Sequence, residues 1–173
     1  MSPFNWIVLI IFLLLILLLA GTLLSNLYFI VPSLSSPRRV GTILRQEINW
    51  KNKKTFYDLG CGTGRVLKQI SRFFPGQLVG FEVAPLPYLI VKSRFFNNPR
   101  VRILARDFFK QNLAQADVVY FYLLPKITQK LGLKLEKELK KGAVVVSCDF
   151  AIKAWQPDKV VEFKYHKLYF YLR

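Results

Sequence analysis

Nine residues constrain this chain more than any others: Phe56-Tyr57-Asp58-Leu59-Gly60-Cys61-Gly62-Thr63-Gly64. An apolar run ends in an acid and then in Gly-x-Gly-x-Gly, the pattern of a strand that opens into a nucleotide-cofactor loop. Glycines there let the main chain approach a ligand and adopt positive φ. A helix starting at Arg65 presents unpaired N–H groups to an anion. A dinucleotide fingerprint needs a further glycine at position 65, for close packing of helix on strand, and Arg65 stands there instead. ATP would need a Walker-type lysine and hydroxyl, which the loop lacks.

Two more acids follow in register with the first. Glu82 closes Val79-Gly80-Phe81-Glu82, 24 residues after Asp58, where a carboxylate can accept both hydroxyls of a ribose. Asp107 stands 25 residues further on, in Ala105-Arg106-Asp107-Phe108. Short runs rich in β-branched and aromatic residues predict strands over 55–59, 78–82, 101–104, 117–123 and 143–148. Helical periodicity fills the gaps: 65–74 stops at Pro75-Gly76, 86–96 at Asn97-Asn98-Pro99, and 127–141 at Gly142. Strands alternating with helices mean a parallel sheet covered on both faces. The rhythm breaks at the end, where two apolar runs, 159–165 and 168–172, flank His166-Lys167 and predict an antiparallel hairpin.

The spacing of Asp58, Gly60, Gly62 and Gly64 resembles motif I of the class I S-adenosylmethionine (SAM) methyltransferases. That resemblance implies an α/β, Rossmann-like sheet, parallel with a C-terminal antiparallel hairpin, and SAM as cofactor. Asp58 would face the methionine ammonium, and Gly60, Cys61, Gly62 and Gly64 would form the loop. Glu82 would hold the ribose, Asp107 the adenine amino group, and Phe108 would pack on the adenine ring.

Ahead of this domain, Trp6 to Leu24 is a run of 19 residues without a charge. As a helix at about 1.5 Å per residue it reaches about 28 Å, close to the ~30 Å hydrocarbon core of a bilayer. A cleaved signal peptide is the competing reading, since Ala20-Gly21-Thr22 is small enough for cleavage. No Lys or Arg precedes the run, however, and the run exceeds the roughly 7–15 residues of a signal core, which favours a retained transmembrane helix. Arg38, Arg39, Arg45, Lys51, Lys53 and Lys54 follow it, so the positive-inside rule places the C-terminal domain in the cytoplasm. Three regions result: an anchor over 1–31, a linker with an amphipathic helix over 32–54, and the methyltransferase domain over 55–173. Val31 to Pro37 breaks the first helix, and Ser36-Pro37 predicts the N-cap and first turn of the second, with Val40, Ile43, Leu44 and Ile48 on its apolar face.

The first acid is Glu47, so all 26 basic and 10 acidic side chains lie beyond the span, and the domain carries the whole net charge of +16. Anionic lipid headgroups, nucleic acid or an acidic protein surface all fit such a charge. The membrane anchor favours lipid. Basic residues scattered without an aromatic-interleaved tract make nucleic acid the weaker reading. Cys61 and Cys148 are 87 residues apart without a CxxC, and His166 is the single histidine, so neither a metal site nor an imidazole base is predicted.

A narrower resemblance rests on Phe29-Ile30-Val31-Pro32-Ser33, Gly80 to Pro85, Asp107 to Lys110, Leu123-Leu124-Pro125, Leu135 to Leu139, and Ser147 to Phe150 leading to Trp155-Gln156-Pro157. Along roughly 31–155 the chain is similar to the membrane-anchored lysine methyltransferases that include the ATP synthase c-subunit lysine N-methyltransferase and its prokaryotic relatives. The resemblance implies methyl transfer to a lysine of a membrane or membrane-associated protein, with Tyr122 and Pro125 in the acceptor loop. Tyr122-Leu123-Leu124-Pro125 lacks the polar acceptor that base-directed amino methyltransferases carry after the fourth strand, which agrees with lysine. Tyr120 and Tyr122 either line an acceptor channel or pack in the core. The chain departs from the family at Asp149, where relatives have a basic residue, and at Ala151-Ile152-Lys153-Ala154, where they have a proline-rich, histidine-containing stretch. Two alternatives follow: a methyltransferase of lipids or small molecules, and a non-catalytic SAM-binding membrane adaptor.

Overall fold

The computed structural model describes residues 2–29 and 35–173. Five parallel strands form its centre: β1 (Thr55–Leu59), β2 (Gln77–Phe81), β3 (Val101–Leu104), β4 (Val118–Phe121) and β5 (Val144–Cys148). With β6 (Lys159–Phe163) and β7 (His166–Leu172) they make a seven-stranded sheet in the order β3-β2-β1-β4-β5-β7-β6, in which β7 runs antiparallel to both neighbours. The chain winds outward from β1 to β3 and then returns to lay β4 on the other side of β1. The carboxyl ends of β1 and β4 therefore flank the switch point where open α/β sheets bind ligands.

Helices α1 (Pro3–Phe29), α2 (Val40–Glu47), α3 (Arg65–Ile70), α4 (Pro85–Arg94) and α5 (Pro125–Glu138) complete the fold. One apolar core lies between the sheet and α2, α3 and α4, around Leu44, Phe56, Leu67, Phe74, Val91 and Tyr120. A second lies under α5, around Leu59, Phe121, Leu131, Leu135, Val145 and Tyr171. At the amino end of the sheet, Asp117 ties strands together: its carboxylate accepts from the Lys54 amide at 2.8 Å and the Thr55 amide at 2.9 Å, and it pairs with Lys140 at 2.7 Å.

The amphipathic α2 buries Val40, Gly41, Ile43 and Leu44, as its spacing predicts. It starts four residues beyond the expected cap, because Ser36 is engaged elsewhere. The Ser36 hydroxyl accepts from Tyr120 at 3.0 Å and its carbonyl takes Arg65 at 2.9 Å. The expected break at Val31-Pro32-Ser33-Leu34 lies outside the described residues. Helix α3 is shorter than its apolar pattern predicts. Beyond Ile70 the chain turns so that Phe74 is buried, and the Arg100 guanidinium takes the carbonyls of Ser71 and Phe74 freed by the turn.

The C-terminal hairpin differs in register. Its turn is Lys164-Tyr165, with Lys164 at φ 53° and Phe163 paired to His166, so His166 and Lys167 belong to β7 and not to the turn. The consequence is chemical, because β7 lies directly beside the end of β5.

Helix α1 exposes its side chains along most of its described length, with Phe4, Leu17, Leu23 and Leu24 among the most exposed. Pro3–Leu24 is long and apolar enough to cross a membrane. Near its C-terminal end it meets α4: the Thr22 hydroxyl accepts from the Leu86 amide at 3.1 Å, and Gly21 lies against Pro85.

Candidate active site

The loop after β1 is held open by the neighbouring strand. The amides of Gly60 and Cys61 both donate to the Phe81 carbonyl at 2.9 Å, and the Gly64 amide returns to the Cys61 carbonyl at 2.8 Å. Gly60, Gly62 and Gly64 all have positive φ, but two of them do different work. A Cβ on Gly62 would meet nothing within 4 Å, so this glycine faces the room a ligand needs. A Cβ on Gly64 would come within 2.5 Å of Val91 and 2.9 Å of Phe95, so this glycine lets α4 close on the start of α3. The Cys61 side chain is buried, and a Cβ on Gly80 would come within 2.8 Å of its sulfur. Cys61 thus contributes main chain to the loop and packing to the core.

Glu82, just past β2, braces the same loop. Its carboxylate accepts from the Gly62 amide and the Ala84 amide, each at 2.8 Å, leaving further lone pairs for hydroxyl donors. Asp58 is buried at 3% exposure, with no side-chain hydrogen bond among the described residues. Burial, and then the nearby Glu82, push the Asp58 carboxyl up to about 8, and burial raises Glu82 as well. Two carboxylates held together without a countercharge form a site for a cation. Asp107 caps the short helical turn Phe108–Lys110, accepting from the Phe109 amide at 2.9 Å with one oxygen, so the other is open to a donor. Phe108 is half-buried and packs against Phe109, with ring centroids 4.7 Å apart and the planes tilted by 40°. The residues proposed for SAM therefore gather along one edge: a cation site at Asp58, room at Gly62, a hydroxyl acceptor at Glu82, and an acid beside an aromatic at Asp107-Phe108.

Across the switch point, Tyr120 and Tyr122 separate. Tyr120 is a core residue, 1% exposed, with its hydroxyl on Ser36. Tyr122 is half-buried beyond the end of β4, and Pro125 is exposed as the first residue of α5. Strand register sets Phe121 opposite Ser147 and Cys148 opposite Leu168, which brings Tyr122, Asp149 and His166 to the same edge. Asp149, at φ 62°, accepts from the Lys167 amide at 2.9 Å and pairs with His166 Nδ1 at 2.8 Å. Its carboxylate also interacts with the Tyr122 hydroxyl, whose pKa rises through burial and then through Asp149. Burial alone would raise Asp149, but Tyr122, His166 and the Lys167 amide hold it below the usual carboxylate range.

Sequence reasoning marked Asp149 only as a departure and set His166 aside. The turn position hid the contact between them: with the turn at Lys164-Tyr165, His166 enters β7 next to β5. Cys148 Sγ, an Asp149 oxygen and a His166 ring nitrogen lie within 4.8 Å of one another, the one grouping among the described residues compact enough to hold a metal. Burial first, and then Asp149, push the Cys148 thiol up to about 12, so the trio presents a neutral thiol beside a hydrogen-bonded pair. The departing segment after Asp149 is well anchored. Gln129 donates to the Ala151 carbonyl and accepts from the Lys153 amide, while the Ile152 amide donates to the Tyr171 hydroxyl.

Comparison with known proteins places the geometry in a family. The ANTKMT methyltransferase domain matches residues 58–159. A protein-lysine N-methyltransferase from Saccharolobus islandicus (strain REY15A) is 31% identical over 150 residues, 82% of this chain and 93% of the relative. The mouse ATP synthase c-subunit lysine N-methyltransferase is 33% identical over 107 residues, 58% of this chain and 42% of the relative, so the match spans less than half of that longer protein. Among solved structures, an RNA methyltransferase from Salinibacter ruber in complex with S-adenosyl-L-homocysteine superposes with a TM-score of 0.73 at 28% identity, covering 80% of this chain and 93% of that one.

Proposed function

Because the chain belongs to the ANTKMT methyltransferase-domain family and is a SAM-dependent methyltransferase, we propose that it methylates a lysine side chain of a membrane or membrane-associated protein. The observation that carries this reading is the similarity to the Saccharolobus protein-lysine N-methyltransferase, which covers 82% of this chain and 93% of that protein. When bound, SAM supplies a methyl carbon on a positively charged sulfur, open to in-line displacement by an amine lone pair.

The protein's contribution is chiefly positioning. Asp58, with Glu82 beside it, holds the amino-acid ammonium, Glu82 takes ribose hydroxyls, and Asp107 with Phe108 holds the adenine. Tyr122 and Pro125 border the acceptor side. A lysine with a reference pKa of about 10.4 is neutral only about once in 10³ to 10⁴ molecules at neutral pH, so the site must favour the free amine. The half-buried Tyr122 and Phe150, 6.4 Å apart between ring centroids, offer a desolvating wall that does so.

Membrane attachment rests on α1, whose uncharged surface is left uncovered, and on its contact with α4 through Thr22 and Leu86. Helix α4 follows directly from Glu82. On its outer side Leu89 and Ile90 are exposed together with Lys92 and Arg94, and Phe96 just beyond its end is 85% exposed. An apolar surface interspersed with cations, beside the anchor, suits contact with anionic lipid at the cytoplasmic face. A short tether keeps the site near the headgroups and makes membrane proteins its natural substrates.

The RNA methyltransferase likeness supplies a second reading. The missing polar acceptor after β4 speaks against base-directed chemistry. Incubation with methyl-labelled SAM and host membranes, followed by mass spectrometry, decides: label on protein lysines is expected, and label confined to RNA or lipid would overturn the proposal.

A further inference from the structure

We propose that the Asp149–His166 pair is the proton acceptor that converts the target lysine from ammonium to amine. This rests on the lysine reading above and goes beyond it, because neither residue belongs to the cofactor site. Three observations carry it. First, His166 Nδ1 and Asp149 Oδ2 are 2.8 Å apart, and the carboxylate is fixed from its other oxygen by the Lys167 amide at 2.9 Å. An aspartate so held keeps the proton on Nδ1 and leaves the lone pair on Nε2, the arrangement that orients a general base. Second, the pair stands at the acceptor edge. The Tyr122 ring lies edge-on to the imidazole, at 6.5 Å between centroids. Third, the imidazole side chain keeps 32% of its surface exposed while Asp149 keeps 18%, so the ring is reachable and its partner is sheltered. Asp149 also sits at φ 62°, a strained conformation for a residue other than glycine, which the pairing holds in place.

The proton step balances simply. An N–H bond of the lysine ammonium breaks, its electron pair stays on nitrogen, and the proton passes to Nε2. The ring becomes imidazolium, stabilised by Asp149, and later releases the proton to water. The amine that remains is the form that accepts a methyl group.

The ionisable groups facing the ring are Tyr122 just past β4, Cys148 at the end of β5 and Asp149 just past it. The first two are raised by burial and stay neutral in the working range, while the neighbouring Lys167 side chain is paired with Glu162 at 2.6 Å.

His166 is the single histidine of the chain, so nitrogen NMR of histidine-labelled full-length protein in nanodiscs reads this ring alone. The neutral ring is expected to be protonated on Nδ1 and bare on Nε2, and Asp149→Asn should erode that preference. A proton on Nε2 would overturn the proposal without reference to activity. In parallel, label transfer from methyl-SAM to host membranes is followed for wild type and His166→Gln. A loss of about 10² to 10⁴-fold is expected near neutral pH. It should shrink markedly towards about pH 10, where lysine approaches its own pKa, with SAM binding unchanged by calorimetry. A loss equal at all pH values, no loss, or activity abolished by chelator and restored by zinc would each sink the proton-acceptor role alone. A wild type that labels no protein lysine would sink the lysine reading itself.

Discussion

Asp58 and Glu82 are kept together at a cost to the empty protein. A buried carboxyl raised from 3.8 to about 8 resists ionisation, so its contribution to stability is fully present below about pH 4 and is lost as pH rises through about 8. A bound ammonium reverses the penalty. Asp58→Asn should therefore raise the melting temperature of the SAM-free protein near pH 8, by about 3 °C or more if ~1 kcal/mol is recovered. The same variant should bind SAM at least about tenfold more weakly, since it lacks the countercharge for the ammonium. For the wild type, SAM affinity should climb between about pH 6 and 8, with proton release on binding, as Asp58 ionises. Calorimetry in buffers of different ionisation enthalpy checks this, and a variant that is both less stable and unchanged in SAM affinity would remove Asp58 from the site. The glycines separate in the same way. Gly62→Ala enters open space and costs mainly the strain of its φ, about 1 to 2 kcal/mol, with a larger loss in SAM binding. Gly64→Ala must displace Val91 and Phe95 as well, so denaturant unfolding should show it to be the more destabilising of the two.

At the scale of elements, alternation of period revealed the sheet and its helices, because buried parallel strands and amphipathic helices leave patterns that tertiary context rarely overrides. The positions of Asp58, Glu82 and Asp107 in the sheet were legible for the same reason: each stands at or just past a strand whose end the apolar run marks. What the pattern hid were terminations decided by distant partners. Helix α3 stops where Arg100 collects the carbonyls of Ser71 and Phe74, and α2 starts late because Ser36 meets Tyr120. Neither partner is near in sequence. The hairpin is the instructive case. A turn of Lys164-Tyr165 carries no glycine or asparagine to announce it, although Lys164 adopts the left-handed conformation that those residues favour. Two residues of register then decide whether His166 is a turn residue or a neighbour of Asp149. Lys164→Gly should relieve the turn and stabilise the protein by roughly 0.5 to 1 kcal/mol. Methyl-transfer activity should be retained, because His166 keeps its place opposite Phe163; thermal unfolding and labelled-SAM assays check the two halves.

For the whole molecule, the separation of charge and apolar surface is the organising fact. All of the net +16 charge lies beyond the apolar run, and the first acid is Glu47. Helix α1 also meets the domain at Pro85 and Leu86, three and four residues beyond Glu82, so the apolar helix is joined to the domain close to that carboxylate. The proposed membrane attachment would have two modes that respond differently to salt. Electrostatic contact with anionic lipid adds about 1 kcal/mol per basic residue near the surface and fades as the screening length falls from about 10 Å at 0.1 M to 3 Å at 1 M. A spanning helix of hydrocarbon side chains is indifferent to salt. The intact protein should therefore remain in the membrane through both high salt and alkaline carbonate. Its intact mass should include the N-terminal segment, whereas cleavage after Ala20 or its neighbours would identify a signal peptide. Changing Lys92 to glutamate should leave carbonate resistance untouched while weakening methylation of membrane substrates at low salt, through loss of the headgroup contact on α4. Protease added outside intact cells should spare the C-terminal domain. Digestion there would place the basic domain on the opposite face and, with it, remove the membrane-side geometry from the argument for its substrate.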